Sequence, residues 1–170
     1  DGIVLDGFGN PCAYHVLKEH PGGRNAAGHL ATVRAGTLRL SGGSLHVADS
    51  IDNAATIDLA GGAASIVASG LVNLGRGEFL NTAAASLVVG PDSLVIFPAG
   101  FDPATDLGVF SCAGLVDFAD GTIEVPAGTG FSGRGTIDDH VHASGTIRAT
   151  TAVNLADNVT LDGGEVDLGD

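Results

Sequence analysis

Basic and aromatic residues are scarce in this chain of 170 residues. Seven Lys and Arg stand against 20 Asp and Glu, which gives a formal net charge of −13. A field of that sign repels phosphate backbones, so we expect no nucleic-acid partner. Tryptophan and methionine are absent, and aromatics make up only 5% of the chain. No apolar run reaches the roughly 18 residues of a membrane span, so we expect no membrane insertion.

Cysteine is also rare, since the chain holds only Cys12 and Cys112. Two cysteines are too few for a disulfide scaffold. They either form one bridge between distant segments or remain as two thiols, and the sequence leaves both alternatives open. The chain begins with Asp1 and shows no signal peptide, so we expect a mature or trimmed product, or a fragment.

Glycine is abundant at 27 residues, and apolar residues reach 44%. Such an apolar content is not typical of a disordered chain. Val, Ile, Leu and Thr favour strands, while Gly, Asp and Asn favour tight turns. The composition therefore predicts many short strands, in a length that suits one domain.

Short units in which an apolar residue recurs at every second position run along most of the chain. They occupy residues 38–40, 45–47, 57–59, 71–74, 87–89, 94–96, 115–118, 123–125, 137–138, 147–149, 153–155, 159–161 and 166–168. This alternation is typical of half-buried strands. The units are too short for an ordinary sandwich, whose turn signals come about every 8–12 residues.

Stacking of coils accounts for such short strands. If each coil carries about three strands and the next coil lies about 4.8 Å above, inward Leu, Ile and Val form continuous ladders. The tripeptide Gly-Thr-Ile, which recurs at 121–123, 135–137 and 145–147, then places Gly at a corner and Ile inside. The sequence predicts an all-β parallel β-solenoid over residues 31–170.

Residues 1–30 have a different pattern and are predicted to form a separate amino-terminal segment. Asn10 and Pro11 could start a short helix that ends at His20. The alternative is a β-hairpin with a long turn. Either element would cap the open end of the solenoid, which otherwise exposes unpaired strand edges.

Several segments resemble the Gly/Asn/Thr-rich repeats of bacterial secreted β-solenoid proteins. They are residues 36–43, 53–59 and 154–164. The resemblance implies an extracellular or cell-surface module for display, adhesion or scaffolding, and it carries over no catalytic residue. Residues 2–22 are similar to a hairpin of lambda-type phage portal proteins, from which only the hairpin is implied.

Asp138, His140 and His142 are the candidate catalytic residues, since their alternate positions would share one face of a strand. Asp139 would point the other way unless the chain bends there. The plain alternative is a polar loop between coils. The motif Gly128-x-Gly130-x-x-Gly133 opens no helix, so we interpret it as a solenoid corner and expect no cofactor-binding loop.

Calcium is the one cofactor that the acidic composition favours, because it takes about six to eight oxygen ligands. The candidate metal ligands are Asp102, Asp106, Asp117, Asp120, Asp138 and Asp139. The chain lacks an EF-hand loop, and Asp before Pro is also a common start of a turn.

Two functions follow as hypotheses. The leading one is a non-enzymatic, extracellular bacterial module for surface display or adhesion, with calcium as its candidate ligand. The alternative is a calcium-dependent hydrolase of an ester or lactone, or a polysaccharide-cleaving solenoid. The coil pattern continues through Val166 and Leu168, so we also expect self-association through the carboxyl-terminal coil.

Overall fold

The computed structural model describes the backbone of residues 2–5, 11–15, 28–60, 64–157 and 159–167. Side chains are described for 33–60, 64–150, 153, 155–157 and 159–167. The strands are β1 Gly2–Leu5, β2 Pro11–His15, β3 Gly28–Val33, β4 Thr37–Arg39, β5 Gly43–Asn53, β6 Thr56–Asp58, β7 Ala64–Ala68, β8 Leu71–Asn73, β9 Glu78–Leu80, β10 Ser86–Val89, β11 Leu94–Phe97, β12 Val109–Cys112, β13 Leu115–Phe118, β14 Thr122–Val125, β15 Gly130–Ile137, β16 His140–Ala143, β17 Thr146–Leu155, β18 Val159–Leu161 and β19 Glu165–Asp167. A single turn of α-helix, α1, spans Pro103–Asp106.

The fold is a parallel β-solenoid of about 6 turns, as the sequence predicted. Its amino-terminal strands β1 and β2 pair antiparallel, and β2 pairs parallel with β4. The hairpin alternative is therefore confirmed, and the helix is wrong over residues 11–15, which are extended. The rest of that expected helix lies outside the described residues. The hairpin adds two strands to one end of the sheet that contains β4, β6 and β9, so β1 is the outermost strand at that end.

The coils form two stacks. The first stack, residues 28–118, has three faces of parallel strands. One face is β4–β6–β9, the second is the first half of β5 with β7, β10 and β12, and the third is β3, the second half of β5, β8, β11 and β13. Consecutive coils pair residue for residue, so that like side chains lie above one another. The repeated short units of the sequence are these stacked strands.

The second stack, residues 122–167, is built in the same way from β14–β16–β18 and β15–β17–β19. Strands β15 and β17 pair over two segments separated by a register shift between Gly133 and Gly135, so each supplies two faces. Its inward side chains include Ile123, Ile137 and Ile147, all fully buried. Each is the isoleucine of one Gly-Thr-Ile repeat, at 121–123, 135–137 and 145–147.

Strands β8 and β11 form a wall shared by the two stacks. Every residue in them is buried. Val72 and Val95 point into the core of the first stack, while Leu71, Leu94 and Ile96 belong to the core of the second. Because both sides are covered, the residues of these strands are apolar except for the buried Asn73, and a mostly apolar strand is typical of sheets buried on both faces.

The second stack reaches the wall at very short range. Strand β15 packs against β5, β8 and β11. A Cβ atom on Gly133 would collide with the backbone nitrogen of Leu71, so glycine is required there. Hydrogen bonds join the two stacks across this junction: Ser132 N to Asp92 O (2.9 Å), Arg134 N to Ser50 Oγ (2.9 Å) and Asn73 Nδ2 to Thr136 O (2.7 Å).

Two arginines add ion pairs to the junction. Arg76 donates from Nη1 to Asp52 Oδ1 (2.8 Å) on the first stack and from Nε to Asp138 Oδ2 (2.6 Å) on the second. Burial lowers the pKa of Arg76, but the hydrogen bonds and the charges of the two carboxylates outweigh it and raise that pKa above its ordinary value. Arg134 Nε lies 3.0 Å from Asp49 Oδ2 at an angle that does not make a hydrogen bond.

Phenylalanine is concentrated at the far end of the first stack. The rings of Phe97 and Phe101 stack with centroids 4.8 Å apart, and Phe110 meets Phe97 edge-on at 5.4 Å. Phe79 and Phe118 extend the cluster. These aromatic contacts pack the last coil of the first stack, where the ladders of aliphatic side chains end.

Candidate functional site

His140 and His142 share the outward side of β16, while Val141 and Ala143 between and beside them are buried in the core. The Nδ1 atom of His142 lies 2.9 Å from Glu124 Oε2 on the neighbouring strand β14. His140 Nε2 lies 3.3 Å from Thr160 Oγ1 on β18. The parallel register therefore turns local histidines into a row of side-chain contacts across three strands.

The chain bends at Asp139, immediately before β16. Asp138 pairs with Arg76 of the first stack, as described above. Asp139 Oδ1 accepts a hydrogen bond from the backbone of Asp120 at 2.9 Å. The candidate catalytic residues are thus adjacent, but Asp138 is engaged at the junction and the two histidines are engaged along their own sheet.

Four of the predicted metal ligands lie close enough to influence one another. Burial raises the pKa of Asp139, and the negative charges of Asp120, Asp138 and Asp117 raise it further, against a backbone hydrogen bond that lowers it. Asp117 itself accepts hydrogen bonds from the backbone N–H groups of Phe118 (2.8 Å) and Glu124 (3.3 Å). These carboxylates form a concentration of negative charge beside the junction, and we call Asp117, Asp120, Asp138 and Asp139 the junction carboxylates.

Asp102 and Asp106 are placed at α1 and have local roles there. Asp102 Oδ1 accepts from Ala104 N at 3.0 Å, and Asp106 Oδ2 accepts from Asp102 N at 2.8 Å. This reciprocal pattern satisfies backbone donors at the helix start. Over the side chains that the structure describes, no three His, Cys, Asp or Glu are grouped as metal ligands.

Cys112 carries a partly buried thiol on β12. Burial raises the pKa of this thiol, while a backbone hydrogen bond near Gly114 lowers it less. The side chain of Cys12 lies outside the described residues, so its pairing stays a prediction.

A groove of about 450 Å³ runs along a corner of the second stack and was not predicted from the sequence. The successive corner turns that precede β15, β17 and β19 line it, together with a residue from the first stack. Its polar lining residues are Asp92, Thr129, Ser132, Ser144, Thr146, Arg148 and Glu165. Gly128 and Gly130 of the discounted glycine motif also lie here, so the motif marks a groove wall and not merely a corner.

Glycine keeps the groove open. A Cβ atom on Gly130 would collide with the carbonyl oxygen of Thr146, so close stacking of the corners requires glycine. Gly128 and Gly163 have φ angles of +78° and +74° and face open space. A polar ligand could reach backbone atoms at these positions because no side chain covers them.

The groove is lined by charged residues of both signs. Arg148 donates from Nε to Asp167 Oδ2 at 3.2 Å, and its side chain is 62% exposed. A guanidinium has five N–H donors, so this pair leaves others for a ligand. Phe131 lies at the floor but is buried, which leaves hydroxyls, backbone groups and charged ends as the accessible surface.

Comparison of the chain with protein-family models, with curated proteins and with solved structures finds no match. Neither the likeness to secreted bacterial solenoid repeats nor the likeness to a portal hairpin is supported by these comparisons. Within the residues that the structure describes, no helix has the length and apolar character needed to cross a membrane.

Proposed function

We propose that the chain is an extracellular β-solenoid module for surface display or adhesion, and that the groove of the second stack contacts its ligand. The observation that carries the proposal is the lining of that groove, which combines hydroxyls, exposed backbone and charges of both signs. Stacked parallel strands hold these groups at fixed spacing, which reduces the entropy lost when a ligand binds.

Glycans are the ligand class that suits such a lining. Sugar hydroxyls both donate and accept hydrogen bonds, so they can meet the carboxylates of Asp92 and Glu165 and the guanidinium of Arg148 together. A groove of about 450 Å³ falls within the roughly 300–1,000 Å³ usual for ligand sites. Arg148 is the one basic residue among the described residues of the lining, so a glycan with an acidic group is expected to place that group at Arg148, away from Asp92 and Glu165.

An array of neutral and acidic glycans tests this proposal. We expect the wild type to bind a subset of acidic glycans, and Arg148→Ala to reduce that binding about tenfold or more. Arg39→Ala is the matched control. Arg39 pairs with Asp58 at 3.3 Å and is 63% exposed, so it resembles Arg148 in pairing and exposure but lies on the first stack.

Two results would count against the groove. One is a wild type that binds no glycan on the array at any concentration used. The other is an Arg39→Ala variant that loses as much binding as Arg148→Ala, since a general change in charge would then explain the loss.

A second candidate, a calcium-dependent hydrolase of an ester or lactone, is favoured by the contact between His142 and Glu124. A carboxylate that holds one imidazole nitrogen orients the other toward a substrate or water. Two of the junction carboxylates, Asp138 and Asp139, directly precede His140 in the chain, and the four together would be the source of calcium ligands. Hydrolysis of a chromogenic ester with added calcium tests this candidate, and His142→Asn must abolish any activity that the wild type shows.

A further inference from the structure

One face of the first stack carries no formal charge. It consists of the first half of β5 with β7, β10 and β12, which pair in parallel and in register. Its outward side chains form two rows across these strands. The rows are Ser44, Ser65, Ser86 and Val109, and His46, Val67, Val88 and Ser111. We call this surface the Ser/Val face.

Several outward rows on other faces carry charges. The β4–β6–β9 face carries Arg39, Asp58 and Glu78 in adjacent strands. The second stack carries Glu124 on one face and the Arg148–Asp167 pair on another. In a chain with a net charge of −13, an exposed face of four strands without Asp, Glu, Lys or Arg contrasts with these charged faces.

The Ser/Val face is also apolar in part and open to solvent. Val88 is 38% exposed and Val109 is 59% exposed. The residues that alternate with the outward rows, such as Ile66 and Leu87, are fully buried in the first core. Short side chains on in-register strands give a flat surface, which suits contact with a second flat sheet at about 10 Å.

We infer that the Ser/Val face is an interface between two copies of this chain. A second copy carries the same negative charge, so approach through the charged faces brings like charges together. The Ser/Val face is the described surface of the first stack where two copies can meet without that repulsion. In a two-fold contact, the exposed valines of one copy can pack on those of the other, and serine hydroxyls can pair because each both donates and accepts a hydrogen bond.

Its size determines the strength of the contact. Four strands about 4.8 Å apart, each with about four residues that rise about 3.3 Å, give the face an area of roughly 250 Å². A stable interface buries about 800 Å² on each partner, so this contact is weak in free solution. Copies held close together on a surface would engage it through their high local concentration.

Sedimentation equilibrium from micromolar to millimolar protein tests the interface. We expect the average mass of the wild type to rise from 16.8 kDa toward twice that value as concentration increases. Val88→Asp places a carboxylate opposite another copy's apolar row and is expected to keep the protein monomeric. Leu80→Asp is the matched control, because Leu80 is 43% exposed on the charged β4–β6–β9 face and gains the same charge.

Three outcomes overturn the inference. A wild type that stays monomeric throughout the range excludes this interface. A Val88→Asp variant that associates like the wild type, with unchanged circular dichroism, places any contact elsewhere. If Val166→Lys alone dissociates the protein, the contact is the carboxyl-terminal coil that the sequence predicted and not the Ser/Val face.

Discussion

The two stacks are built from the same kind of coil but differ in how their cores are closed. The core of the first stack is built from its own residues, and the hairpin strands pair at one end of the stack while the phenylalanine cluster lies at the other. The second stack borrows Leu71, Leu94 and Ile96 from the shared wall for its core. The second stack is therefore expected to depend on the first for stability, because its core is incomplete alone.

Charge is distributed unequally as well. The first stack has the Ser/Val face, whereas the second stack has the groove, the histidine row and two of the four junction carboxylates. The stack with the borrowed core thus carries the polar chemistry. A well-packed first stack supplies the rigid support that positioned polar groups require.

The largest effect is expected at the shared wall. Leu94→Ala removes a fully buried side chain from the second core, and Leu87→Ala removes one from the first. Each is expected to lower the free energy of unfolding by about 2–5 kcal/mol. Hydrogen exchange should then show faster opening in residues 122–167 for Leu94→Ala, with the first stack little changed. For Leu94→Ala, equal acceleration of hydrogen exchange in both stacks would contradict a dependence of the second stack on the first that runs in one direction only.

Gly133→Ala tests the close approach of β15 to the wall. The added methyl group collides with the backbone of Leu71, so β15 must shift away. We expect a loss of about 1–3 kcal/mol in chemical denaturation. Gly128→Ala is the control for backbone strain, because its φ is also positive but a Cβ there meets nothing within 4 Å. A smaller loss at Gly133 than at Gly128 would rule out the collision as the cause.

Arg76→Met tests the ion pairs between the stacks. Asp52 has a side chain only 10% exposed and loses its charged partner in this variant. We expect a loss of about 1 kcal/mol, since Arg76 is 26% exposed and water replaces part of its contribution. Arg39→Met, which breaks an exposed pair, should change the stability by less than about 0.5 kcal/mol. Identical losses in the two variants would remove the special role of the junction.

The smallest effect is expected at Asp139. Its raised pKa means that the folded state binds the proton more tightly than the unfolded state, so ionised Asp139 lowers stability. This cost is absent below the ordinary pKa of an aspartate and grows as pH rises through the raised value. Asp139→Asn should therefore increase the melting temperature slightly at neutral pH, by less than about 1 kcal/mol in free energy, and not at acid pH.

The same variant, Asp139→Asn, also tests calcium binding. If calcium binds the junction carboxylates, the melting temperature of the wild type rises at millimolar calcium and falls with chelator. Asp139→Asn should then respond less. A rise of the same size in both proteins would place the ion at another site, and no rise in the wild type would remove calcium from the proposal.

Most of the solenoid could be predicted because its evidence is local. Units such as Ile57-Asp58-Leu59 show inward and outward positions within three residues, and the Gly-Thr-Ile repeats mark the corners. The division into two stacks was not predicted. Its trace in the sequence is the unbroken apolar run from Leu94 to Phe97, but a short apolar run does not reveal what covers its second side.

The candidate sites show the same limit. His140 and His142 could be placed on one side of a strand from their spacing, because that depends only on the period of a strand. The groove could not be placed. Thr129, Thr146 and Glu165 come together only through the register of successive coils, and Asp92 arrives from the other stack. The partner of Asp138, Arg76, also lies across the junction.

The double-sided wall has a consequence for how the protein is made. A ribosome releases the first stack before β14 and β15 exist, so the outer side of the wall stands bare in the nascent chain. The exposed apolar surface then includes Leu71, Leu94 and Ile96. It can bind chaperones, or it can aggregate with the same surface of another nascent chain nearby. The last third of the chain thus covers the apolar surface of the part that folded before it.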